Sequence, residues 1–158
     1  YEGTNGIQAL DLLGRKVIGS RGDLLEHFVG QANAFIDEQI NDPAMAEFIV
    51  PLQVNLQRWV ELTHGIVARN QRNADELGAA SFDYLMYAGY TVLAYIWARS
   101  AAVARQKLAA DNGDAAFYRT KLTTARFYFQ RLLPRNEGLA QSISAGAETL
   151  MALEDEAF

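Results

Sequence analysis

The sequence predicts an all-α protein, an antiparallel up-down four-helix bundle preceded by one short leader helix. Three observations carry this. Apolar residues recur at three-to-four spacing almost throughout, no strand-like alternation lasts beyond a few residues, and only three prolines interrupt 158 residues. Connections of a few residues between long amphipathic stretches favour antiparallel neighbours.

The leader is expected over 7–18, with Ile7, Leu10, Leu13 and Val17 on one face, and it should stop near Gly19, which tolerates a left-handed helix end. Ser20 can then cap a second helix over 21–40. Its stripe is Leu25, Phe28, Val29, Ala32, Phe35, Ile36 and Gln39, with Asp23, Glu26, Asn33 and Asp37 turned away. Asn41-Asp42-Pro43 reads as a stop followed by a start, because Asp42 can accept orphan amides and proline needs no donor in a first helical turn.

The third helix carries Phe48, Leu52, Leu56, Trp59, Leu62 or Thr63, and Ile66, with a break expected near Val50 because Pro51 follows. After a polar linker over 70–76, the fourth helix should span 80–110. Its apolar residues nearly surround it between Tyr84 and Trp97, so it belongs in the middle of the bundle. Asp111 to Asp114 should end that helix and cap the fifth, whose stripe is Tyr118, Leu122, Ala125, Phe129 and Leu132. Pro134 closes it. The last helix is expected over 137–153, through Leu139, Ile143, Gly146 or Ala147, and Leu150.

Composition limits the function classes. The 14 basic and 19 acidic residues give a net charge of -5, and the basic ones form no patch that could follow a phosphate backbone, so no nucleic-acid partner is expected. With no cysteine there is no disulfide, thiolate metal site or cysteine nucleophile, which fits a reducing compartment, and a cytoplasmic location is expected. The longest uncharged apolar run, Tyr84 to Ala98, is short of the roughly 20 residues of a membrane span. A chain opening on Tyr1, without initiator methionine or basic leader, suggests that further polypeptide precedes it.

The most specific string is Tyr1-Glu2-Gly3-Thr4-Asn5-Gly6-Ile7-Gln8, a carboxylate in a glycine-containing turn that enters a helix directly. On spacing alone it is a helix start, with Thr4 or Asn5 as cap. Tyr-Glu-Gly-Thr followed by Ile-Gln also resembles the catalytic-base turn of the flavin-dependent acyl-CoA dehydrogenases. That resemblance makes Glu2 the acceptor of the substrate α-proton, sets Gly3 against the thioester and brings Thr4, Asn5 and Gly6 to FAD. Many members carry a longer polar residue where this chain has Gly6.

A carboxylate suits the task when it is held close, partly desolvated and raised in pKa, because a thioester α C-H is a poor acid. In the family pattern the backbone amide of the base residue also holds the thioester oxygen where enolate-like charge develops.

Two later segments, Ala88-Gly89-Tyr90 through Trp97-Ala98-Arg99 and Lys121-Leu122-Thr123-Thr124-Ala125-Arg126-Phe127 through Leu133-Pro134-Arg135, resemble the helical extension of the subgroup acting on fatty acyl-CoA or methylthiopropanoyl-CoA. The resemblance therefore implies two parts. Residues 1–19 end the catalytic helical domain, and residues 20–158 form an appended helical domain. It also implies an acyl-CoA substrate, an electron-transfer acceptor, a homo-oligomer, and no activity for this stretch alone.

The residues themselves leave two rivals. One is a stand-alone helical-bundle interaction module. The other is a di-iron bundle, suggested by Glu61-x-x-His64 but lacking a second such pair, since Leu24 stands three residues before His27. Arg126, Arg131 and Arg135 near a helix end suit the helix dipole without any ligand.

Overall fold

A computed structural model describes residues 4–111 and 113–153. The described residues are helical and contain no strand. A leader, α1 (Asn5–Leu10), continues as a wide-turn π-helix (Asp11–Ile18), and five helices come after it. These are α2 (Asp23–Gln39), α3 (Ala46–Asn70), α4 (Asp75–Ala109), α5 (Ala115–Phe127), which continues as a π-helical stretch (Tyr128–Leu132), and the short α6 (Arg135–Ala145). The all-α class and the leader are as expected from the apolar periodicity.

The contacts gather into two units. The first comprises Tyr1–Glu26, Arg58–Ala88 and Asn136–Phe158, and the second His27–Gln57 and Gly89–Arg135. In the second unit one apolar cluster joins Ala32 and Ile36 of α2, Phe48, Leu52 and Leu56 of α3, Ala94, Tyr95 and Ala98 of α4, and Ala125 of α5 with Phe129 beyond it. Alanines on α4 let larger side chains approach, and the rings meet edge to face: Phe48 and Phe129 at 5.3 Å, Phe28 and Tyr95 at 5.6 Å. The Tyr128 hydroxyl donates to the Tyr90 carbonyl at 2.8 Å, which satisfies its polar end.

In the first unit Trp59 and Tyr84 pack with ring centroids 6.1 Å apart, and the Tyr84 and Thr63 hydroxyls lie 2.7 Å from one another. Burial pushes the Tyr84 phenol up to about 12, against the pull of its hydrogen bonds to Thr63 and Trp59. The end of α6 is stapled to the start of α4. Glu76 accepts from Arg69 at 2.7 Å and from the Ala147 backbone amide at 3.0 Å, while Arg69 also donates to the Ile143 carbonyl at 2.8 Å.

Several elements differ from expectation for physical reasons. The leader buries Ala9, Leu13 and Val17, leaving Ile7 and Leu10 exposed. Its i→i−5 bonding, with the Gly19 amide on the Gly14 carbonyl at 2.9 Å, offsets the drift that a regular α-helix gives to positions four apart. Gly19 stays right-handed at φ −63°, and the left-handed turn falls on Arg21 and Gly22, where Gly22 N–H reaches the Val17 carbonyl and Arg21 N–H the Ile18 carbonyl, both at 2.9 Å. Ser20 does serve the next helix, its hydroxyl accepting from the Leu24 amide at 3.4 Å.

Helix α3 runs unbroken through Pro51. The proline falls early enough to remove one interior bond while the expected stripe from Phe48 to Ile66 is buried along its whole length. Helix α4 is not surrounded, because Phe82, Leu93, Ile96 and Val103 stay exposed on one side. Helix α6 stops at Ala145, eight residues before the expected end, since Gly146 takes φ +77° and the Glu76 carboxylate takes the next amide. The cap at Asp114 forms as expected, on the Phe117 amide at 3.1 Å, whereas Asp42 accepts from the Ala44 amide at 2.9 Å in the turn before α3, which starts at Ala46 rather than at Pro43.

Candidate active-site turn

The leader helix anchors the turn. Ala9, Leu13 and Val17 fix that helix in the first unit, and Leu77 of α4 packs against it at Gly14, with a methyl 3.5 Å from where a Cβ there would stand. The helix begins at Thr4, whose carbonyl accepts from the Gln8 amide at 2.9 Å and whose side chain makes no capping bond. The expected Thr4 hydroxyl cap is therefore absent.

Thr4, Asn5 and Gly6 are all exposed, and nothing lies within 4 Å of a Cβ placed on Gly6. The helix start, with the Thr4 hydroxyl and the Asn5 carboxamide on exposed residues, is thus an open edge at which the first helical amides lack intrahelical partners. Glu2 and Gly3, the expected base and its thioester neighbour, lie outside the described residues. Beside this edge stand Ile7 and Leu10, 66% and 47% exposed, an apolar pair that periodicity had assigned to the interior.

Of the other singled-out residues, Glu61, Arg126 and Arg135 have partners within the fold. Glu61 pairs with Arg58 at 3.4 Å, both exposed, and no group of three or more His, Cys, Asp or Glu side chains gathers among the described residues. Arg126 pairs with Glu47 at 3.0 Å and Arg135 donates to the Tyr90 hydroxyl at 3.2 Å, so both are engaged without a ligand. No described helix is long and apolar enough to cross a membrane. Periodicity missed the Arg69–Glu76–Ala147 staple, since no local pattern joins residues 71 apart.

Helices without strands among the described residues, with an exposed polar start on the leader, define an all-α helical class. Residues 28–154 match the family described as acetyl-CoA dehydrogenase C-terminal like, and the chain belongs to that family.

The whole chain is 27% identical to a broad-specificity linear acyl-CoA dehydrogenase of Mycobacterium tuberculosis, covering 27% of that protein. It is also 27% identical over its whole length to a butyryl-CoA dehydrogenase of Syntrophomonas wolfei, covering 26% of it. A 3-methylmercaptopropionyl-CoA dehydrogenase of Ruegeria pomeroyi is 33% identical over 84% of the chain and 23% of its own length. The chain thus spans about a quarter of the length of these curated relatives. The family match starts at Phe28, whereas the first two relatives align across the leader as well.

Proposed function

We propose that the chain is the C-terminal part of a cytoplasmic FAD-dependent acyl-CoA dehydrogenase, with residues 1–19 closing its catalytic helical domain and residues 20–158 forming an appended domain that supports assembly or shapes the substrate channel. The observation that carries this is the alignment of the entire chain, its first residues included, with two acyl-CoA dehydrogenases. The leader adds support, because an exposed Ile7 and Leu10 are the face that a helix at the edge of a larger apolar body presents.

In this assignment Glu2 removes the α-proton of the acyl thioester as the general base. Its backbone amide, next to Gly3, holds the thioester oxygen as negative charge builds there. Thr4, Asn5 and Gly6 fit a flavin edge: a hydroxyl, a carboxamide and a residue without side chain lie exposed, with open space at Gly6. The flavin supplies the acceptor for the hydride that leaves the β-carbon. The complete enzyme would work with an electron-transfer acceptor and as a homo-oligomer.

The test uses the complete protein with Glu2→Gln. Turnover of an acyl-CoA with an artificial acceptor should fall at least about 100-fold while the flavin absorbance stays unchanged. A variant that kept its rate would remove Glu2 as the base.

A further inference from the structure

Beyond the turn, the second unit carries a groove that its packing leaves open. It lies between α4 and α5, occupies ≈ 480 Å³, and is walled by Ile96, Trp97, Val103, Ala104, Phe117 and Tyr118. Phe117 is 51% exposed and meets Tyr118 edge to face at 5.4 Å, so the wall on α5 is aromatic. The volume falls within the range of small-molecule sites.

Two cations and, among the described residues, no carboxylate border this apolar surface, in a chain whose net charge is -5. Lys121 places its ammonium 5.1 Å from the Phe117 ring centroid and 5.9 Å from that of Trp97, and Arg99 places its guanidinium 5.4 Å from that of Tyr95. Among the described residues neither forms an ion pair, whereas Arg105 and Arg126 of the same unit each have a carboxylate. The Phe117 and Trp97 rings hold the Lys121 charge beside the apolar wall, while Arg99, which also donates to the Tyr95 hydroxyl at 3.4 Å, adds a second positive charge to the groove lining, an arrangement that favours an anion arriving from outside.

From the charge and the rings together we infer that the groove is a binding site for a small aromatic carboxylate. The ring of the ligand packs edge to face against Phe117 and Tyr118 and along Ile96 and Val103, and its carboxylate bridges Lys121 and Arg99. An aliphatic anion would satisfy the cations but not the aromatic wall, and a neutral aromatic would do the reverse.

Calorimetric titration of the full chain with 2-naphthoate tests the site, with 2-naphthamide as the neutral analogue and decanoate as the aliphatic one. One saturable site per chain is expected, at least tenfold tighter for 2-naphthoate than for either analogue. Lys121→Gln combined with Arg99→Gln should weaken 2-naphthoate at least tenfold and leave 2-naphthamide unchanged. Both positions are at least partly exposed, and unchanged thermal unfolding would verify that the variant folds. Absence of saturable binding, equal affinity for the amide, tighter binding of decanoate, or a double variant that binds 2-naphthoate as well as the parent would each overturn the assignment.

Discussion

Glu76 is the clearest case of a single residue deciding local structure. It is 8% exposed, paired with Arg69 and bonded to the Ala147 amide, and those hydrogen bonds hold its carboxyl below the usual glutamate value of 4.5. A Cβ on Gly146 would come within 2.9 Å of the same carboxylate, so the glycine is required both by its φ of +77° and by the close approach. Because the folded pKa is lowered, the stabilisation is complete above 4.5 and is lost as pH falls through the folded value. Glu76→Gln should therefore cost about 1–2 kcal/mol at pH 7, a figure reduced because Arg69 is a third exposed and solvent screens it. In urea unfolding the gap between parent and variant should narrow as pH falls below 4.5; a gap that stays constant through acid titration would assign the effect to shape rather than charge. Nothing near Glu76 in the sequence announces this, since its partners come from the end of α3 and from beyond α6. The turn at Arg21 was hidden for a related reason: two backbone hydrogen bonds place the left-handed residue, and they overrode the glycine two positions earlier.

Among the elements, those that keep a regular α-helical period were legible and those that depart from it were not. The stripe of α3 from Phe48 to Ile66 reads straight off the sequence because 3.6-residue spacing holds from end to end. In the leader, and again from Tyr128 to Leu132, π-helical bonding inserts an extra residue per turn and rotates the buried face. Periodicity puts Ile7 and Leu10 inside, while the fold buries Ala9 in their place. The same effect turns Tyr128 and Leu133 inward beside Phe129. The leader face can be tested by truncation. Leu13→Ala should cost about 3 kcal/mol, as for a fully buried leucine, whereas Ile7→Ala and Leu10→Ala should each stay within about 0.5 kcal/mol. Equal losses at positions 7 and 13, read from denaturant midpoints, would restore the regular helical face.

For the whole molecule, the class was legible because it depends on a sum over many residues, whereas the two units were not, because each is assembled from segments far apart in the chain. Residues 1–26 join 58–88 and 136–158, and no local signal marks such a grouping. Eight residues, Tyr1 to Gln8, carry the resemblance to a catalytic-base turn, and the role proposed for Glu2 calls for atoms outside this chain, so its decisive test lies in the complete protein. Ile7 and Leu10 give that test an energetic form. In the chain alone both side chains face water, so Ile7→Asp with Leu10→Asp should change its stability by less than about 1 kcal/mol. If the leader lies against a catalytic body, burial of each side chain is worth about 1.5–3 kcal/mol there, and a carboxylate in its place adds a desolvation cost. The doubly substituted complete protein should then unfold at lower temperature and release flavin more readily than its parent, while the substituted chain alone behaves as before. Equal responses in the two settings would mean that nothing covers this face, and the leader would then be only the first helix of a self-sufficient domain.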